Sequence, residues 1–248
     1  MADVRRWAGG PLRRLAAAVA LAGLLAGCSG GTSGGATASG SRSAASSSGS
    51  VTGTPLSAGL LPADAFGPHA TVLNLTLDQL RRATASAGTA SSGGQVDPPS
   101  CAVAVQGGSP DFTGVADLAA QSATGPDGST VEALLTGAPV PGAVDRVLGA
   151  VAACPRATVT TPDGTTSTLT FRSVPVPPMG DDAAAMEVTT SASGPGAAQP
   201  SPALVGVVRD RDRLLLLLSA GAGGAAPDEA RFTALLQQAY RTQARALD

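Results

Sequence analysis

The chain of 248 residues contains no lysine, so all sixteen of its basic residues are arginines. That absence excludes a P-loop nucleotide site, a Schiff-base enzyme and a Ser-x-x-Lys acyl-transfer enzyme, because each needs the lysine amine. A single histidine, His69, cannot build a multi-histidine metal centre. A serine hydrolase could in principle assemble around it, but no motif stands beside it, and a solvated loop histidine is the plainer reading. Aromatics are equally scarce. Trp7 is the only tryptophan, and the rest are Phe66, Phe112, Phe171, Phe232 and Tyr240. Sugar and quaternary-amine sites lean on aromatic faces, so an aliphatic pocket for a lipid or other apolar molecule suits this composition better. Arginine and alanine standing where lysine and isoleucine are absent points to a GC-rich genome, such as an actinobacterium's.

What is present begins at the N-terminus. Arg5, Arg6, Arg13 and Arg14 precede a run from Leu15 to Ala26 in which every residue is apolar or glycine. A basic n-region, a short apolar h-region and a small-residue cleavage site make a secretory signal. At ~1.5 Å per residue the run spans only ~18 Å, too short for a hydrocarbon core of ~30 Å. Leu25-Ala26-Gly27-Cys28 looks like a bacterial lipobox, which implies cleavage after residue 27 and diacylation of the Cys28 thiol. Residues 28–54 are then a lipidated cysteine followed almost wholly by Gly, Ser, Thr and Ala, with Arg42 the only charge. Such a segment cannot bury enough apolar area to offset its ordering entropy and reads as a disordered tether. The expected address is the outer face of the cell membrane, with residues 55–248 forming one extracytoplasmic domain. Loss of the leader leaves twelve arginines against seventeen carboxylates, a net charge of about −5. That balance argues against nucleic acid as a partner.

Cys101 and Cys154 remain once Cys28 is acylated. Outside the cytoplasm two such cysteines are expected to form a disulfide, the alternative being two buried thiols. Around them the pattern alternates short helices and hairpins. Leu60-Leu61-Pro62 gives apolar anchors and a proline for a first helical turn. Thr71–Leu75 reads as a weak strand, and Thr76-Leu77-Asp78-Gln79 as a capping box opening a short helix through Ala85. Cys101–Val105 is an apolar segment that periodicity alone leaves open between helix and strand. Val115–Ala123 and Ser129–Leu135 flank the turn signal Gly125–Gly128. Val140, Val144, Val147, Leu148 and Val151 share one helical face, ending before Pro155. Ala157–Thr161 and Thr165–Val174 form a hairpin about Pro162-Asp163-Gly164. Ala184–Thr190 and Leu204–Arg209 read as strands, and the continuous run Leu214–Leu218 as a central strand covered on both sides. A last helix spans Asp228–Leu247, with Ala230, Ala234, Leu235, Ala239 and Leu247 able to line one side. Consecutive strands without crossover helices favour an α+β fold, an antiparallel sheet with helices packed on one face.

Several local patterns have bland readings. Gly31–Gly35 spells a nucleophile elbow inside the tether, with no strand before it and no helix after. Gly221–Ala226 imitates a dinucleotide loop but lacks the second strand and ribose-binding carboxylate. Asp181, Asp182 and Glu187 offer oxygen ligands at a spacing that matches no calcium loop. Arg209-Asp210-Arg211-Asp212-Arg213 reads as a solvated hairpin cap, with docking of an anionic partner as the alternative.

The order of these features resembles a family: the extracellular sensor domain of the mycobacterial serine/threonine kinase called protein kinase H, with the free-standing actinobacterial lipoproteins built on it. The residues carrying the resemblance are Leu60-Leu61-Pro62, Pro98-Pro99-Ser100-Cys101, the helix ending at Cys154, the threonine-rich strands, Arg213–Leu218 and the terminal helix, over residues 55–248. The resemblance implies an antiparallel sheet flanked by helices, a Cys101–Cys154 bridge and a non-catalytic ligand-sensing role without cofactor. The family's second disulfide is missing, since no cysteine follows Cys154, and Ala152-Ala153 stand where its tryptophan is usual. No ligand-binding, catalytic or metal residue is carried over. The expected partners are the membrane through Cys28, a small apolar or envelope-derived ligand, and, as alternative, an envelope protein docked for assembly. A hydrolase using His69 is the third reading.

Overall fold

The computed structural model describes residues 54–80, 94–107, 112–162, 164–193 and 199–248. The leader, Cys28, the tether up to residue 53 and the Gly31–Gly35 pattern lie outside them. Among the described residues the strands are β1 (Thr71–Leu75), β2 (Gln95–Asp97), β3 (Val115–Gly125), β4 (Gly128–Gly137), β5 (Arg156–Thr160), β6 (Thr166–Val174), β7 (Asp182–Ser193), β8 (Ser201–Asp210) and β9 (Arg213–Gly221). The helices are α1 (Ala102–Gly107), α2 (Ala143–Ala153) and α3 (Glu229–Leu247). The strands form one antiparallel sheet in the order β1-β3-β4-β9-β8-β7-β6-β5-β2. This is the α+β, antiparallel architecture that the uncrossed run of strands implies. No helix among the described residues is long and apolar enough to cross a membrane.

The alternation of side chains along β9 explains why helices lie on both faces rather than on one. Leu214 and Leu216 point into one apolar layer, Leu215 and Leu217 into the other, and all four are buried. Each buried leucine contributes roughly 1.5–3 kcal/mol, so neither face can be left wet. One layer is closed by α2, with Val144, Val147 and Ala150 set against Phe171, Ala184, Met186 and Val207. The other is closed by α3, with Phe232, Leu236 and Ala239 over Ala185, Leu204, Val208 and Leu215. Gly206 lets α3 settle closely: a Cβ there would lie 2.8 Å from Leu236 Cδ2 and 3.0 Å from Phe232 Cζ.

Both helical faces differ in detail from the periodicity reading. In α2 the buried set is Ala143, Val144, Val147 and Ala150, while Leu148 is 50% exposed. The stripe aimed at the sheet runs through residues 143, 147 and 150, and Leu148 is rotated by about 100° from Val147. In α3 Phe232, Leu236, Ala239 and Gln243 are buried, whereas Ala230 and Ala234 are exposed. The bulky pair over Gly206 decides the rotation, and the alanines do not.

Local signals fare better. Asp228 caps α3 by accepting from Arg231 N at 2.8 Å. Thr76 and Gln79 form the reciprocal capping box, Thr76 N to Gln79 Oε1 at 2.7 Å and Gln79 N to Thr76 Oγ1 at 3.2 Å. The turn that follows is helical over 77–80, and the continuation to residue 85 lies outside the described residues. The open choice at Cys101–Val105 resolves to a 3-10 turn, Pro99–Cys101, running into α1.

Candidate functional site

Cys101 and Cys154 are joined in a disulfide with Cα atoms 5.3 Å apart, across a separation of 53 residues. Both are buried, and the bridge ties the start of α1 to the C-terminal end of α2 within the α2-side layer. In the chain-entropy description a loop of that length is worth roughly 4 kcal/mol.

The other candidates disperse. His69 is exposed in a turn at φ 67°, with no serine or carboxylate bonded to it among the described residues. Gly221–Ala226 is the exit from β9 through a 3-10 turn, Ala222–Gly224, pinned by Ala222 N to Asp127 O at 3.1 Å. Asp181 and Asp182 face Arg209, and Asp181 also accepts from Arg211 N at 2.8 Å. Glu187 pairs with Arg172 at 2.7 Å. These carboxylates are occupied by arginines, and among the described residues no group of three or more metal-ligating side chains occurs.

The Arg209–Arg213 turn is more than a solvated cap. Asp210 and Arg213 are buried and paired at 2.9 Å, and Arg213 also holds Asp248 and donates to Leu247 O at 3.1 Å. The Arg213 guanidinium holds the Asp248 carboxyl below its ordinary range. The turn thus fastens the end of α3 to the sheet. Its other end is fastened by Arg231, which donates to Phe66 O at 2.9 Å and pairs with Asp127 at 2.7 Å. Arg213 Nε and both amide atoms of the buried Gln243 find no partner among the described residues.

A site that no motif announced lies beside α3, where residues 55–62 cross the face of β1, β3 and β4. This segment is a 3-10 turn, Leu56–Gly59, that buries Leu56 and Gly59. At Gly59 a Cβ would meet Leu247 Cδ1 at 2.8 Å and Leu134 Cδ1 at 2.9 Å, so a larger residue there would have to displace the ends of both leucine side chains. Strand register brings Asn74, Gln121, Glu132 and Leu217 into one row on this face. Glu132 is fully buried, and its two oxygens accept from Leu61 N at 3.2 and 3.1 Å. Gln121 Nε2 donates to Leu61 O at 2.9 Å and to Glu132 Oε2 at 2.6 Å. Because the Leu61 carbonyl needs a donor, it fixes which end of the Gln121 amide faces the pair. Together the two side chains clamp the Leu61 peptide at both its N–H and its C=O. Burial pushes the Glu132 carboxyl from an ordinary 4.5 up to about 7, and the hydrogen bonds from Gln121 and Leu61 only partly oppose it.

Alongside the clamp is an open cleft of about 580 Å³. Its walls include Leu56, Leu60, Leu61, Leu75, Leu118, Ala119 and Ala120, with Pro55 and Pro62 at either end of the segment. Four polar side chains join them: Ser57, Asn74, Asp117 and Gln121. The lining is polar and apolar in similar measure, and Leu75, Leu118 and Ala120 border it by their backbone while their side chains belong to the α2-side layer. The sequence offered one faint signal. In a strand alternating about Leu134, Glu132 falls on the same face as that leucine, in a chain with only three glutamates, Glu132, Glu187 and Glu229.

No family model matches the chain, and no curated protein is similar to it. Among solved structures the chain is similar to an uncharacterised protein from Mycobacterium smegmatis, the Rv0999 ortholog, at 16% identity, covering 72% of this chain and 91% of that one, with a TM-score of 0.46. It is also similar to the extracellular domain of PknH from Mycobacterium tuberculosis, at 15% identity, covering 75% of this chain and 94% of that one, with a TM-score of 0.42. The second is the kinase's extracellular domain, the family that the order of sequence features resembles. These similarities are of chain path, and no ligand or residue role is carried across from them.

Proposed function

We propose that the protein is a cell-envelope lipoprotein, anchored through Cys28, whose folded part binds a small molecule in the 55–62 cleft without turning it over. The observation that carries the binding reading is the cleft itself, which sets Leu56, Leu60 and Leu61 of the segment beside Asn74, Asp117 and Gln121 of the sheet. Its chemistry suits a molecule with an aliphatic body and a hydrogen-bonding head. The extracytoplasmic address is supported by the lipobox at Leu25–Cys28 and by the Cys101–Cys154 bridge, since such bridges persist in oxidising compartments. The tether of residues 28–54 would hold the folded part, as a single domain over 55–248, away from the membrane.

The test is to purify the native lipoprotein and identify molecules in its organic extract by mass spectrometry, beside a Ser57→Trp variant. Ser57 is exposed at the cleft, so the indole blocks the site without entering the core. A molecule retained by the wild type and lost from the variant is the expected result, and equal extracts would refute the reading. Release of a Cys28→Ala variant from the membrane fraction is the expected result for the anchor, and unchanged association would refute it.

A second reading, an assembly factor that docks an envelope protein, is favoured by Leu73, which is 62% exposed on β1 at the edge of the sheet. A Leu73→Arg change that abolishes capture of an envelope protein while leaving the extract unchanged would select this reading over the first.

A further inference from the structure

We propose that the edge strand β1 pairs with β1 of a second copy of this chain, antiparallel about a two-fold axis at Leu73. The proposal goes beyond the cleft reading and does not rest on it. Its starting point is the contrast between the two edges of the sheet. β2 is three residues long, ends in Asp97 and runs straight into Pro98-Pro99, features that keep another strand off. β1 is five residues long and has no charge, proline or bulge, and Leu73 at its centre is 62% exposed.

Strand register decides what this edge offers. The β3–β4 hairpin closes at Gly125 and Gly128 with only Pro126 and Asp127 between them. Odd-numbered residues of β3 therefore bond to β4, and even-numbered ones face β1. Leu118 N–H agrees, being turned to Asp117 Oδ1 at 2.8 Å. Thr124, Ser122 and Ala120 lie opposite Thr71, Leu73 and Leu75, so these β1 residues bond inward. The N–H and C=O of Val72 and Asn74 point outward, where the sheet has no further strand among the described residues. Leu73 is thus flanked on each side by a residue aimed to bond across the edge.

That spacing makes β1 complementary to itself. With Leu73 opposite Leu73, each Val72 exchanges both main-chain hydrogen bonds with Asn74 of the other copy. Leu73 falls in the non-hydrogen-bonded pair, where Cα atoms approach to about 4.5 Å and side chains are closest. The exposed leucine is covered by its own counterpart, which singles out a second copy as the occupant. The flanks are complementary too. The exposed His69, before one strand, is carried toward the exposed Asp78 after the other, while the two Asp78 carboxylates lie at opposite ends. Asn74 also lines the cleft, so pairing sets Val72 of the second copy at its rim. One strand pair is smaller than the roughly 1,200–2,000 Å² of a standard interface, so the dimer is expected to dissociate on dilution.

Cross-linking in the full chain tests the register. Leu73→Cys, treated with a mild oxidant, should give a disulfide-linked dimer above the wild-type background, since the Cα spacing of that pair suits a disulfide. Thr71→Cys should not, because its counterpart lies several residues along the pair. Charge tests the axis. Leu73→Arg or Leu73→Glu alone sets like charges face to face and should cut co-purification of two differently tagged copies on the order of tenfold. Co-expressing the arginine variant with the glutamate variant should restore it. The side chain is exposed, so all these variants keep the fold. No dimer from position 73, equal cross-linking from position 71, or failure of the mixed pair to recover would overturn the proposal. A cross-link from position 73 to a different protein would overturn it as well and favour the assembly reading.

Discussion

The two faces of the sheet are closed by different means. On the α2 face the layer carries no buried charge and is apolar apart from Ser122 and Ser167, with Val144 and Val147 against Phe171 and Met186, and the Cys101–Cys154 bond ties its helices covalently. On the α3 face a core under Phe232 and Leu236 is bordered by groups that could have been wet: Glu132, Gln121, Gln243, Asp210 and Arg213 are all buried there. A disulfide and packed aliphatics respond to neither pH nor salt. A clamp made from one carboxyl and one amide responds to a proton. The difference separates a permanent foundation from an adjustable surface, and the cleft lies on the adjustable side.

The largest effect tests the foundation. Replacing Cys101 and Cys154 together by serine should lower unfolding free energy by roughly 4 kcal/mol in denaturant titrations. The same variant should keep the wild-type difference between pH 5 and pH 8, and a loss of that difference would break the separation between the faces. Next, Leu236→Ala empties the contact over Gly206 on the other face and should cost about 3 kcal/mol, since the side chain is fully buried. A cost under ~1 kcal/mol would mean that α3 is not the lid of its layer.

The Glu132 effect is smaller and carries a sign. Its contribution is most favourable below the ordinary 4.5 and is lost as pH rises to about 7, staying flat above. Wild type minus Glu132→Gln should therefore change by about 2 kcal/mol between pH 5 and pH 8, with the wild type relatively better at pH 5. The reverse sign would refute burial as the dominant influence on the carboxyl. Smallest is Arg172→Ala, which removes exposed pairs with Glu187 and Glu229. A cost below ~1 kcal/mol that vanishes in high salt is expected, and a larger one would make that pair part of the α3 closure.

How much of this was legible depends on range in sequence. Signals confined to a few residues were readable: the Thr76–Gln79 box, the Gly125–Gly128 turn and the run Leu214–Leu218. The pairing of Cys101 with Cys154 was readable because compartment and count left them together. Helix rotation was not, because alanine and leucine in α2 and α3 fit two faces almost equally, and the choice was made by Gly206 and the sheet beneath. The candidate site was illegible for the same reason. Glu132, Gln121 and Leu61 are separated by 11 to 71 residues and meet only through strand register. The conspicuous charges, Arg209 to Arg213 and Asp181-Asp182, proved to pair with one another and with the end of α3.

The buried carboxyl on the cleft side is the hinge of the account, and carbon-13 NMR can observe it alone. With three glutamates in the chain, the Glu132 side-chain carboxyl resonance is assignable by its loss in Glu132→Gln. A titration midpoint near 7 is the expected result. A midpoint at the ordinary value near 4.5 would contradict it.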